Sequence, residues 1–302
     1  MSAALESTPA PARHTYKWHV RGVWPAVPAL LFLTAFFAVP LAILLASGFV
    51  TIERGVLQED SFTFRYLTQT LSDDLFWKVW WRSFWVGVVS TLACLILGYP
   101  LAYAYTLCGR FWQTLLLVVT IAPLLTSALV RTYAWLVILG GRRGVVNAVL
   151  IELDLIERPL RMLNTDLAVI LGMTQIHLPF MVLPLITVLS GRDRNLEQAS
   201  LGLGASRVGT FFRITVPLSI PGISAGLALV FAISYTNFII PQLLGGGNYT
   251  TLAVLVYEYI VVILDWSKGA MLALLLLSSC FVFVLAITLT ANFATRWTEA
   301  RR

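Results

Sequence analysis

Apolar runs long enough to cross a lipid bilayer alternate along this chain with short polar segments, and that alternation constrains the fold more than any other feature. A helix needs about 20 mostly apolar residues to cross roughly 30 Å of hydrocarbon, where no water is available to satisfy a bare backbone. Six such runs can be drawn, over residues 24–49, 83–107, 113–138, 165–189, 220–240 and 268–292. The expected fold is an all-α polytopic membrane protein with six transmembrane helices. With 58 % hydrophobic and 12 % charged residues, the composition is not that of a soluble domain.

An even number of spans puts both termini on one side, and Lys and Arg decide which. The termini and the segments 108–112 and 190–219 carry a clear excess of Arg and Lys over Asp and Glu. The segments 50–82, 139–164 and 241–267 are slightly acidic. The positive-inside bias therefore puts residues 1–23, 293–302 and the 190–219 loop in the cytoplasm. Residues 1–23 form a basic cytoplasmic tail, since the apolar run after them is too long for a signal peptide. The net charge of +6 is explained by this topology. No basic patch with interleaved aromatics exists to engage nucleic acid, and the partner surface expected is membrane lipid. Trp24, Trp112 and Trp297 fall at inner span ends and Trp77, Trp80, Trp81, Trp85, Trp135 and Trp266 near outer ones, as in an interfacial aromatic belt.

Outside the spans, Leu75 to Arg82 and Val145 to Ile156 have short amphipathic patterns that suit interfacial helices. The apolar run from Leu252 is too short to span and carries Glu258, so a re-entrant or surface helix is expected, with a seventh span as the alternative. Cys94, Cys108 and Cys280 lie in or at the ends of apolar runs, with neither disulfide nor metal-ligand spacing. The chain has no G-x-x-x-x-G-K-[ST], no H-E-x-x-H and no G-x-S-x-G. Its histidines, His14, His19 and His177, are scattered, so neither an enzyme nor an ATPase is expected.

The most informative polar stretch runs from Gly191 to Pro221. Leu196, Ala199, Ser200 and Leu203 recur at helical spacing, as do Val208, Phe211, Phe212 and Val216. Asn195 is a candidate N-cap with Gln198 three residues on, and Glu197 suits the first-turn dipole. Gly204 is placed to end the first helix in the left-handed conformation. Ser206 is placed to cap the second, which Pro217 and Pro221 should stop. The stretch reads as two short helices hinged at Gly204. Phe211 and Phe212 either anchor a partner or pack beneath the protein's own spans.

These residues resemble the signature loop of the permease subunits of ABC importers: Glu-Ala-Ala, three residues, Gly, nine residues, Ile, one residue, Leu-Pro. Gln198-Ala199-Ser200, Gly204, Ile214 and Val216-Pro217 keep that spacing, with Ala205 and Ser206 following the glycine. Gln198 stands where the signature has an acid, with Glu197 one residue earlier, and Val216 replaces Leu. Gln carries no charge, which leaves open any ion pair made by the family's acid. The stretches RSFWVGVVSTLACLILGYPLAYAY, LLTSALVRTYAWLVIL, LPFMVLPLITVLS and FIIPQLLGGG are similar to the B-type permease of spermidine/putrescine importers.

The resemblance implies a type I ABC importer permease fold in a bacterial inner membrane. It implies a cytoplasmic ATPase dimer gripping the 190–219 loop, a second homologous permease as heterodimer partner, and a periplasmic or lipid-anchored solute-binding protein. No cofactor is expected on this chain, since ATP and Mg belong to the ATPase. The implied solute is a polyamine such as spermidine or putrescine. Other small solutes (an amino-acid derivative, iron, sulfate) and an ATP-independent secondary transporter are the alternatives. Polar residues inside spans are candidates for the solute path: Arg131, Gln175, His177, Tyr235 and Asn237. Arg131 is also placed to snorkel, and His177 to hydrogen-bond between helices.

Overall fold

The computed structural model describes residues 27–53, 56–141, 143–247 and 249–299. The basic tail of residues 1–23, together with Trp24, lies outside them. The chain divides into two compact units, Met1–Leu44 and Leu45–Arg302.

In the first unit, α1 starts at Val27. The helix runs Val27–Ser47 and is apolar on all sides, with Leu31, Phe32, Phe36 and Phe37 exposed. A helix of that kind suits lipid or an apolar partner rather than water.

The second unit opens with a hairpin, β1 (Val50–Glu53) paired antiparallel with β2 (Val56–Phe62), which the apolar pattern did not foretell. The Ser267 hydroxyl donates to the Val50 carbonyl at 2.7 Å and ties the hairpin to the last helix. Helix α2 (Arg65–Leu71) leads to α3 (Asp74–Leu107), capped by the Asp73 carboxylate on the Leu75 amide. That cap corrects the expected span start at residue 83. Leu75 to Arg82 are the first turns of a 34-residue helix, which at 1.5 Å per residue is about 51 Å long and longer than a bilayer core is thick.

The third span is also corrected. It is a bent pair, α4 (Arg110–Leu125) and α5 (Ala128–Leu139), meeting at 98°. Pro123 is the second residue of a tight 3₁₀ turn, Ala122–Leu125, and Thr126 is extended, so the α-helical hydrogen-bond ladder stops there. After α6 (Val145–Glu152) come α7 (Asp166–Ser190), α8 (Arg194–Gly202), α9 (Arg207–Tyr235), α10 (Ile239–Leu244), α11 (Leu252–Val262) and α12 (Trp266–Glu299). The fifth span thus begins at Arg207 rather than at residue 220. The last helix continues to Glu299, through most of the expected C-terminal tail. Helix α11 is too short to span, but its first turn is buried (Leu252, Ala253, Val254 and Leu255) against Phe76, Val79 and Leu272, so it is packed rather than surface-lying.

Helices α3, α7 and α9 form the centre. Cys94, Ala102, Met181, Val182, Leu185 and Val230 are buried together. Lipid offers no hydrophobic drive for helix association, so small residues and interhelical hydrogen bonds set the contacts. Gly222 shows the tolerance: a Cβ there would lie 3.0 Å from Val188 Cβ and 3.1 Å from the Pro184 carbonyl oxygen, a backbone atom that cannot rotate away. Gly222→Val is expected to destabilise the bundle by about 1–3 kcal/mol through overpacking, read as a lowered melting temperature in detergent. Polar links cross between helices: Tyr99 to Ser219 (3.0 Å) joins α3 to α9, His177 to Ser234 (2.8 Å) joins α7 to α9, and Tyr235 to Ser279 (2.8 Å) joins α9 to α12.

Candidate coupling elbow and polar path

At the end of the bundle where α3 and α7 finish, α8 turns away from the spans. Its cap is Asp193, whose carboxylate accepts from the Asn195 amide at 2.9 Å, so the helix starts at Arg194 and Asn195 is an internal residue rather than the expected cap. The other end closes as the sequence suggests. Gly204 has φ +86°, its amide donates to the Leu201 carbonyl and the Ala205 amide to the Ser200 carbonyl, a Schellman stop. Ser206 caps α9 by accepting from the Gly209 amide at 3.0 Å.

Pro217 does not stop that helix. The turn over Phe211–Thr215 widens to a π turn, in which the Val216 amide reaches the Phe211 carbonyl. Pro217 lacks an N–H for the carbonyl four residues back, and the wider turn carries the axis past it without a break. The second short helix and the fifth span are therefore one rod, and Ile214 lies on it half-buried.

The two acid positions divide. Gln198 and Ala199 are exposed, whereas Glu197 is turned inward. Arg192, which no sequence pattern singled out, donates from Nε to Glu197 Oε1 at 2.9 Å; its side chain is 3 % exposed. Its Nη1 donates to the Leu189 carbonyl (2.9 Å) and to Thr106 Oγ1 (3.2 Å), and the guanidinium lies 5.3 Å from the Tyr103 ring centre. The Thr215 hydroxyl donates to Glu197 Oε1 at 2.6 Å, and Ser200 meets Thr210 at 3.0 Å. The ion pair that the neutral Gln198 left open is thus made by its neighbour, within the chain. The signal for it in sequence was faint: one arginine just past a span, with an acid in the next helix.

Phe211 and Phe212 also part company. Phe211 packs edge-on against Tyr99 and Tyr103, while Phe212 is 64 % exposed. Leu203 at 90 % and Val208 are exposed too, so the elbow presents an apolar outer face.

The other candidates sit deeper in the bundle. Trp135 Nε1 donates to Gln175 Oε1 at 3.3 Å, joining α5 to α7. Arg131 lies one turn before Trp135 on α5, and its Nε and Nη1 are buried with no hydrogen-bond partner among the described residues. His177 Nδ1 meets Ser234, an interhelical bond. Tyr235 is 1 % exposed, stacked on Phe231 and bonded to Ser279, so in this conformation it faces α12 rather than an open channel. The Asn237 side chain accepts from the Ile240 amide, which stabilises the break between α9 and α10. At the end of the bundle opposite the elbow, a hollow of about 320 Å³ is lined by Arg82, Asn164, Gly245, Gly246, Gly247 and Tyr249. There Tyr249 donates to Asp166 (2.5 Å) beneath the Arg82 guanidinium. Burial, then the hydrogen bond and charge of Asp166, raise the Tyr249 pKa and keep its phenol protonated.

The described residues of the second unit thus form a bundle of long apolar helices with an elbow braced by Arg192 and Glu197 at one end. Residues 95–298 match the family described as binding-protein-dependent transport system inner membrane component, and the chain belongs to that family. It is a multi-pass inner-membrane permease component of such a system. It is 32 % identical over 254 residues to the spermidine/putrescine transport system permease protein PotB of Haemophilus influenzae, covering 83 % of this chain and 88 % of that protein. It is 34 % identical over 238 residues to the Escherichia coli protein of the same name, covering 79 % and 86 %. The fold resembles a chain of the bacterial alginate ABC transporter solved in complex with an alginate pentasaccharide-bound periplasmic protein. That match has a TM-score of 0.73 at 14 % identity and covers 91 % of this chain and 96 % of that one.

Proposed function

We propose that this chain is the permease subunit of a type I ABC importer for polyamines such as spermidine or putrescine. The observation that carries the coupling half of this reading is the elbow: where α8 ends and α9 begins, exposed Leu203, Val208 and Phe212 suit a groove in a cytoplasmic ATPase. The solute half rests on the relatives at 32 % and 34 % identity.

The elbow end and both termini face the cytoplasm, in line with the charge bias of the loops. Glu197, Gln198, Ala199, Ser200, Gly204, Ala205, Ser206, Phe211, Phe212, Ile214 and Pro217 form the coupling element. The chain pairs with a second homologous permease as a heterodimer and binds no cofactor; ATP and Mg stay on the ATPase dimer. A solute-binding protein delivers cargo to the end that carries Arg82 and Gly245–Gly247. Closure of the ATPases moves α8, and the spans alternate between inward- and outward-facing.

A second reading of the cargo is favoured by Arg131. A guanidinium whose Nε and Nη1 are buried without a partner among the described residues, on a bent span, repels a polycation and attracts a carboxylate or oxyanion. Proteoliposomes holding both permeases and the ATPase, with binding protein outside, decide between them. ATP-dependent uptake of labelled spermidine or putrescine is expected. Uptake of an anionic solute with none of polyamine would replace the first cargo by the second. Uptake driven by an ion gradient without ATP would remove the importer reading altogether.

A further inference from the structure

The contacts around Arg192 support a role that no signature residue has. Helix α8 joins the spans covalently at two corners, and both contain glycine: Gly191 before it, Gly202 and Gly204 after it. A Cβ at Gly202 or Gly204 would touch nothing within 4 Å, so the second corner is open rather than packed. A push on the outer face of α8 would be absorbed by such corners as swivel, unless something else fixes the helix to the bundle.

Arg192 is placed to do that. It reaches α8 through Glu197, α7 through the Leu189 carbonyl, and α3 through Thr106 Oγ1 and the Tyr103 ring. Glu197 in turn takes the Thr215 hydroxyl in the π turn of α9. One buried guanidinium and one carboxylate therefore connect the elbow to three spans. A buried ion pair of this kind is a poor source of stability compared with apolar packing, and its best-supported use is to hold a particular geometry.

We propose that Arg192, held by Glu197, is a positioning residue that makes the elbow and the adjoining ends of α3, α7 and α9 move as one body. This rests on the importer reading above. Thr106 and Thr215 orient the pair, and Tyr103 covers it.

The test uses the complete transporter, with both permeases, the ATPase and the binding protein. Single variants leave a buried charge without its partner, so the informative variant is the double one, R192M/E197Q, which removes both charges together. The ATPase is expected to co-purify with it as with wild type, because Leu203, Val208 and Phe212 are untouched. ATP hydrolysis by the assembly is expected to persist, while solute taken up per ATP falls about tenfold, the size of a typical coupling between sites. A merely structural role would lower yield and hydrolysis together and leave the ratio unchanged, and that result would overturn the proposal. Loss of ATPase co-purification would also overturn it, since the pair would then serve docking. If wild-type chain itself fails to retain an ATPase, the importer reading fails, and the two failures are told apart.

Discussion

Replacing Gly204 by valine is expected to abolish ATP-driven uptake while insertion into the membrane and recovery of the chain stay at wild-type levels. Gly204 has φ +86°, where an L side chain meets its own backbone, at a cost of about 1–2 kcal/mol, most for a β-branched residue. No neighbour opposes the new side chain, since a Cβ there has nothing within 4 Å, so bundle packing is unaffected. The strain is relieved by changing the angle between α8 and α9, and under the proposed coupling role that angle sets how the elbow meets the ATPase. Among side chains, asparagine tolerates the left-handed region best. Uptake should therefore fall in the order Gly, Asn, Ala, Val. Wild-type uptake by the valine variant would show that the corner has no part in coupling.

The second large effect is at the exposed apolar face. Leu203→Asp and Phe212→Asp are each expected to weaken ATPase association by about 100-fold, within the range of an interface hot spot, read by co-purification or by titrating the ATPase onto reconstituted permease. Both side chains already face outward, so the folded chain itself is unchanged. Phe211→Ala should behave in the opposite sense. It removes the ring set between Tyr99 and Tyr103 and lowers the melting temperature, leaving any remaining folded chain able to bind the ATPase. The two adjacent phenylalanines thus separate folding from docking, which would be impossible had both faced the same way.

Much of this architecture is legible from local pattern. The six apolar runs all correspond to helices long or paired enough to cross a membrane, and the Gly204 and Ser206 termini of the elbow helices are where turn chemistry puts them. The failures are also local in origin. Proline was read as a stop at Pro217, yet a π turn carried the helix past it. No stop was read at Pro123, yet the chain bends by 98° just beyond. A proline removes one hydrogen bond at either place; which way the chain responds depends on what packs around it. Phe211, the first residue of the π turn in α9, lies edge-on against Tyr99 and Tyr103.

The candidate path residues make the same point. That Arg131, Gln175 and His177 are polar groups in apolar runs is a fact of composition along the chain, and so is the lack of a motif for hydrolysing ATP. That Gln175 holds Trp135, that His177 holds Ser234, and that Arg131 Nε and Nη1 meet no hydrogen-bond partner among the described residues are facts of how α5, α7 and α9 lie together.

By itself the sequence determined the membrane class, the places of the long apolar helices, the place of the elbow and the spacing within it, because apolar length, caps and glycine turns act over a few residues. Only the tertiary structure decided that Glu197 rather than Gln198 carries the ion pair, and that its partner is Arg192 braced on Thr106. Arg192 and Thr106 are 86 positions apart. Contacts at that distance are set by the packing of α3 against α7, where burial leaves a charge no alternative but its neighbour, and no local periodicity encodes that choice.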